Sequence, residues 1–481
     1  MDKFSPKEKD DLLKEYYTDD KTQLLVIIIG SSLILVMAIV IIIICATTSN
    51  KIYQDEEIAV GYIPINSITA KYMVNNKDDP ILLFNSSYTD LIHTFRVDGV
   101  KVEQITNEYI FDSPGEHTIK ISFKKPLRNT NELFLGCENL TEVILRNLTT
   151  EKIRSAANMF NGCSNLSHVD MTDFDSTNLN NISNMFYGCS SLEKINLNYL
   201  DGYQLIDVSG LFMKCTNLSE ININFMRTRK VINMSNMFYE CESVNELDLI
   251  FFQTNNVIDM SNMFYGCSNL SIIHNYFNTE NVTYMNGMFD GCVSLVNLSV
   301  QSFNTENACD MSYMFNDCIS LDDIDVSNFN TSNVTNMFGM FKNCISLESI
   351  NISNFDIQNV ENMGEMFGGC NSLKEIYLEN LNPISLVNMT GMFQNCQLLK
   401  SINMTYFNAE QIEDISNLFD GCNNLDYIDL SYFSTSKVNN YENIFRGLPE
   451  SGIIIYNPDT FNNTFLDLLP SSWTKTSSKS I

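Results

Sequence analysis

Twelve of the fourteen cysteines fall into one column: Cys137, Cys163, Cys189, Cys215, Cys241, Cys267, Cys292, Cys318, Cys344, Cys370, Cys396 and Cys422. Regularly spaced thiols can ligate metal, form disulfides or fill a core. Zinc needs close pairs such as Cys-x-x-Cys, and the chain has none, so no metal is expected. If one cysteine falls on each turn of a stack, neighbours lie about 5 Å apart, within disulfide range by Cα separation. Side chains in one column point in parallel directions, however, which is poor geometry for bridging. The leading reading is a column of small buried thiols; bridges between turns remain the competing one. Cys309 stands off the column as a lone surface thiol.

Other chemistry is sparse. The four histidines (His93, His117, His168, His274) form no His-Glu-x-x-His pair. Neither a Gly-x-Ser-x-Gly elbow nor a phosphate-binding glycine loop occurs. Acidic pairs such as Asp322-Asp323 sit where a strand would expose them, solvated rather than coupled for acid–base work. The expectation is a protein that is not an enzyme, with no cofactor and no small-molecule substrate. The formal net charge of −29 argues against nucleic acid as a partner, because phosphate contacts need a positive surface.

The elements that would position such residues come from a repeat. Phenylalanine returns at 134, 160, 186, 212, 238, 264, 289, 315, 341, 367, 393, 419 and 445, every 26 residues except for one step of 25. A fixed period of this length means stacked supersecondary units. In one unit the apolar residues are Leu321, Ile324, Val326, Phe329, Val334, Met337 and Met340, ahead of Phe341. Leu-x-x-Ile-x-Val alternates as a strand does, and strands one unit apart must run parallel. Asn or Asp just before the first of the two methionine positions, that of Met337 (Asn181, Asn233, Asp259, Asp310, Asn336, Asn362, Asn388, Asp414), has the chemistry of a helix start. Glycine before the cysteine suits a left-handed stop after one or two helical turns. The fold expected is thus an α/β solenoid of about 12–13 rungs, each a strand, a loop and a short helical turn. The methionine column is core packing by the same logic.

Along the chain, residues 1–23 form a polar tail and 24–45 an unbroken apolar run. About 22 residues at 1.5 Å rise span roughly 33 Å, enough for a bilayer. The run is longer than a signal-peptide core and follows an acidic start, so a single N-terminal transmembrane signal-anchor helix is expected. Lysines cluster before it, placing the N-terminus in the cytoplasm and the repeats outside the plasma membrane. Residues 46–132 do not repeat and carry strand-like runs such as His117–Phe123 between turn signals, as a small β-rich N-terminal cap would. Repeats occupy 133–445. Residues 446–481 make an atypical final unit and tail in which Trp473 closes the core.

Written out, the unit is Met-Phe-x-x-Cys-x-x-Leu-x-x-Ile-x-Leu-x-x-Phe-x-Thr-x-x-Val-x-x-Met, which resembles the BspA-like leucine-rich repeat of mycoplasma-type surface lipoproteins. The resemblance covers 133–445. It implies cell-surface display and, for some members, adhesion to host proteins, and it supplies no catalytic residues. The chain departs from bacterial members in lacking a convincing lipobox before Cys45.

The remaining candidate site is the outward side of the strands: Glu220, Glu246, Asp248, Asp323, Asp325, Glu375, Tyr427 and Asp429. Leucine-rich solenoids use such an extended face for protein partners. Extracellular or host proteins are the expected partners and adhesion the expected role; a steric, antigenic coat without a dedicated ligand is the alternative. Sixteen Asn-x-Ser/Thr sites follow the apolar run, so a glycosylating host would decorate the repeats, Asn351 and Asn403 on the strand face included.

Overall fold

The computed structural model describes residues 66–480 apart from 199, 201, 379 and 380. The tail 1–23 and the run 24–45 lie outside the described residues, so the expected anchor does too. Among the described residues no helix is long and apolar enough to cross a membrane.

Each repeat makes one turn of a solenoid. In the turn that starts at Cys344, Leu347, Ile350 and Ile352 point inward and are buried, while Ser349 and Asn351 between them are exposed. The short strand Ser349–Asn351 pairs in parallel with Glu375–Tyr377, Ile350 opposite Ile376, so inward side chains stack on their counterparts 26 residues on. Phe355, Val360, Met363, Met366 and Phe367 then line the rest of the interior. The phenylalanine column becomes a stack of nearly parallel rings from Phe134 to Phe445, 5.3 Å apart at Phe315–Phe341 and 6.2 Å at Phe419–Phe445. A second stack includes Phe329–Phe355 and Phe407–Phe433. Burying rings of this size on every turn is the dominant favourable term of the fold.

The expected helical turn is absent, so the α part of the α/β assignment is corrected: each repeat is β-strand and turn. The only α-helix among the described residues is Asn463–Leu466, beyond the repeats. The reason is backbone chirality. Two positions per turn, two residues before and two after the phenylalanine, take positive φ; around Phe315 these are Tyr313 at 57° and Asp317 at 53°. A left-handed residue every fourth position cannot continue a right-handed helix. It folds the segment into consecutive β-turns instead, as in the bonds Met314 N to Met311 O and Cys318 N to Phe315 O.

This ribbon of turns is also bonded to its neighbours. Phe315 N donates to Met340 O (2.9 Å) and Tyr313 N to Phe338 O (2.9 Å), one turn ahead. The Asn/Asp column does not cap helices. It forms an unbroken file of parallel bridges from Ser155 through Asn181, Asp207 and Asn233 to Asn440. From Asn181 to Asp414 every Asn or Asp side chain of the file closes a small turn, Tyr284 standing in once without doing so: Asn181 Oδ1 accepts from Ser183 N (2.8 Å) and Asp310 Oδ1 from Ser312 N (2.9 Å). Asn and Asp serve equally there, which accounts structurally for the Asn-x-Ser pattern at Asn181 and Asn233.

Both ends are covered. Strand Ser67–Val74 pairs antiparallel with Gly115–Phe123 on one side and with the first rung strand, Leu140–Ile144, on the other. An antiparallel partner seals an edge that parallel stacking would leave open. At the far end Ile453–Tyr456 and Thr474–Ser477 extend the parallel sheet, and Trp473 is buried with its indole N–H donating to Pro449 O (2.9 Å).

Candidate functional site

The twelve column cysteines are buried and free. From the second turn on, eleven of the thiols are spoken for: Cys163 Sγ donates to Phe134 O (3.0 Å), and the pattern repeats to Cys422 and Phe393 (3.0 Å). The column is therefore a file of hydrogen bonds between turns. Burial raises every thiol, Cys267 and Cys370 to about 12, so thiolate chemistry is suppressed. Cys309 is half-buried rather than fully on the surface, its Sγ 3.5 Å from Thr283 O. A parallel file passed without a role in the sequence: Thr254, Thr279, Thr305 and Thr331 are buried, and each hydroxyl donates to a carbonyl of the next turn, for example Thr279 to Asn304 O (2.7 Å). Its signal was the Phe-x-Thr of the repeat.

The strand face is exposed at Glu220, Glu246, Asp248, Asp323, Asp325 and Glu375. These do not form a bare acidic ladder. Glu220 pairs with Lys194, and Glu246 lies 2.9 Å from His274 Nε2. Asp325 accepts from Gln301 Nε2 (2.6 Å) and Ser327 N (3.0 Å), hydrogen bonds from Ser327 and Gln301 that hold its carboxyl low. Glu375 accepts from Tyr377 OH (2.9 Å). Asp248 accepts from Ile250 N (3.2 Å) in a local turn. Two candidates depart from expectation. Asp429 is only 8% exposed and Tyr427 half-buried, because the added terminal strands pack beside them. Asp429 accepts from Ser431 N (2.9 Å) and so serves structure.

Nearer the N-terminal end, Asp170 shows what the face does to a carboxylate. Burial works against its ionisation, yet hydrogen bonds from Arg146 and Thr172 outweigh that and hold it at about 2. Among the described residues no three His, Cys, Asp or Glu side chains converge as a metal would need.

The ladder of strands is discontinuous. No strand is formed among the described residues between Asn275 and Ser349. The gap begins after the one 25-residue unit: Leu247 pairs with Ile273, 26 residues on, but the core phenylalanines Phe252 and Phe277 are 25 apart. The missing residue is thus absorbed at the corner behind the strand, while Phe264 and Phe289 still stack at 5.4 Å. Asp323 and Asp325 lie inside this stretch without strand pairing.

Among solved structures the chain is similar to the T. pallidum leucine-rich-repeat protein TpLRR, at 23% identity over 36% of this chain and 74% of that one, with a TM-score of 0.27. It is similar to a leucine-rich-repeat protein of Eubacterium ventriosum at 16% identity over 62% and 81%, TM-score 0.29. It also resembles a leucine-rich cell surface protein of Faecalibacterium prausnitzii at 15% identity over 66% and 85%, TM-score 0.26. No curated protein matches the chain. The family profile described as "Mycoplasma protein of unknown function, DUF285" matches residues 124–204, 192–295, 272–379 and 374–451, more than half of the sequence. With this period, this thiol file and this profile throughout its repeats, the chain belongs to that mycoplasma repeat family, and its repeats are of the BspA-like leucine-rich type.

Proposed function

We propose that the chain is a single-pass surface protein, anchored by residues 24–45 with its N-terminus in the cytoplasm, whose solenoid binds other proteins in adhesion to host cells or matrix. One observation carries this reading. Inward positions repeat the same few apolar types, whereas outward positions of successive strands differ in charge, shape and hydrogen bonding: Glu246 and Asp248, Ile272 and His274, Ser349 and Asn351, Glu375 and Tyr377. A surface so varied on so regular a frame offers a partner a distinct patch on each turn. The stretch around Asp323 and Asp325, which lacks strand pairing, is the proposed centre. No catalytic role is proposed for any residue.

The full-length protein displayed on cells, with another acidic solenoid as control, tests this against host cells and immobilised matrix proteins. Saturable binding at about micromolar concentration, lost when Asp323, Asp325 and Ser349 are replaced together, supports adhesion through the face. Binding that survives substitution of every outward strand residue rules that face out. The pairing of Glu220 with Lys194 and of Glu246 with His274 favours a second reading. A face that satisfies its own charges suits a coat without a dedicated ligand, and absence of any binding above the control selects it.

A further inference from the structure

Charge is distributed unevenly on the side of the solenoid that joins the strand corner to the ribbon. One backbone ladder there links Arg128 to Arg154 (Arg154 N to Arg128 O, 3.0 Å) and continues, turn by turn, to Glu361 and Glu413. The same structural position is thus cationic beside the cap and anionic at the far end. Two clefts open at the cationic end. The larger, of about 810 Å³, lies where the chain leaves the cap and includes Lys124, Lys125 and Arg128. The smaller, of about 350 Å³, includes Arg128, Lys152 and Arg154. Arg128 belongs to both, so the two form one cationic path across the cap and first repeats.

These five side chains are exposed. Lys124 is steadied by the backbone, its Nζ donating to Asp90 O (2.7 Å). Among the described residues no carboxylate pairs with Lys125, Arg128, Lys152 or Arg154, unlike Arg146 and Lys194 on the strand face. Glu132 and Glu151 are the acidic residues lining the clefts, so cations prevail locally in a chain of net charge −29. Five cations along adjoining clefts exceed what one small anion engages and match a polymer with repeated charges. Aromatic surface is missing: Tyr88 is buried and its hydroxyl is bonded to Asn131 O (2.8 Å), leaving nothing on which bases would stack. Exposed apolar lining is limited to Leu91 and Pro126, too little to anchor an acidic peptide.

We propose that this cationic path binds a sulfated polysaccharide, its sulfate groups held by the exposed lysines and by the forked guanidinium groups of Arg128 and Arg154. The site lies off the strand face and is independent of the function proposed above. The test titrates the full-length protein, purified in mild detergent, with heparin, fully desulfated heparin and polyglutamate. Expected are saturable binding of heparin alone and a loss of about tenfold or more in Lys125→Glu/Lys152→Glu. Raising salt from 50 to 200 mM should weaken binding by roughly tenfold or more, as counterion release requires. The control Lys400→Glu/Lys475→Glu, with the same change of charge at exposed positions elsewhere, should bind as the parent does. Absence of heparin binding overturns the proposal. Equal loss in both variants overturns it in favour of a net-charge effect, and equal binding of polyglutamate overturns it in favour of an acidic protein segment.

Discussion

The two long sides of each turn are built to different standards of continuity. On the ribbon side, bridges run without a break from Ser155 to Asn440, and turn bonds within a repeat alternate with bonds to the next. On the strand side, pieces of three to five residues pair mostly in twos and vanish between Asn275 and Ser349. The comparison teaches where a repeat of this kind keeps its register. The ribbon is over-determined by left-handed residues, Asn/Asp turns, stacked phenylalanines and buried thiols. The strand side is held by inward apolar residues and short, interrupted strand pairs, so it absorbs the short unit and leaves its outward positions free to vary.

The largest expected contrast is a core deletion. Phe315→Ala removes a ring stacked on both sides and should destabilise by about 3–5 kcal/mol. Ile324→Ala, inward on the strand side where pairing is missing, should cost about 2–3 kcal/mol because a backbone free of strand pairing can relax around the smaller side chain. Denaturant midpoints of the two variants decide it, and an equal or larger loss at Ile324 breaks the comparison.

Hydrogen exchange probes the same contrast without mutation. Amides of Phe289 and Phe315, bonded across turns at 2.9 Å, should exchange on the order of a hundredfold more slowly than those of Val296–Val300 and Asp322–Val326. Comparable protection in both stretches would mean that the gap in the strand ladder carries no energetic weight.

Two aspartates sharpen the comparison through pH. Asp290, on the ribbon, is raised to about 6 by burial, with Asp317 adding to the effect against a hydrogen bond from Asn316. Its folded value lies above the unfolded one near 4, so the folded state takes up the proton first and stability rises as pH falls from 7 to 5. Asp170, on the strand face, sits at about 2; its contribution is full above about 4 and is lost as pH falls through 2. Asp290→Asn should abolish a gain of about 1 kcal/mol between pH 7 and 5, read as the difference in urea midpoints. Asp170→Asn should leave that window unchanged and flatten the acid limb instead.

The smallest effect is expected at the face itself. Asp323→Ser should shift stability by less than about 0.5 kcal/mol, since the side chain is exposed and outward. A larger loss, in thermal unfolding of the full-length chain, would show that this residue supports the frame.

Much of the solenoid was legible beforehand because period and inward pattern are linear properties. Leu321, Ile324 and Val326 alternate whatever the neighbouring turns do, and a 26-residue return forces parallel stacking. The burial of the cysteine and methionine columns follows from the same register. What misled was local: Asn and Asp before the methionine carry helix-cap chemistry, but the same side chains close turns equally well. The choice between the two rests on left-handed φ at Tyr313 or Asp317, residues that do not announce it. Tertiary structure alone decided the rest. Thiol and hydroxyl protons find carbonyls only once the next turn is laid down; Asp429 is buried only because later strands pack beside it. The cationic path of Lys125, Arg128 and Lys152 likewise exists only after the cap meets the first repeats, since a composition of net −29 describes the sum of charges and never their placement.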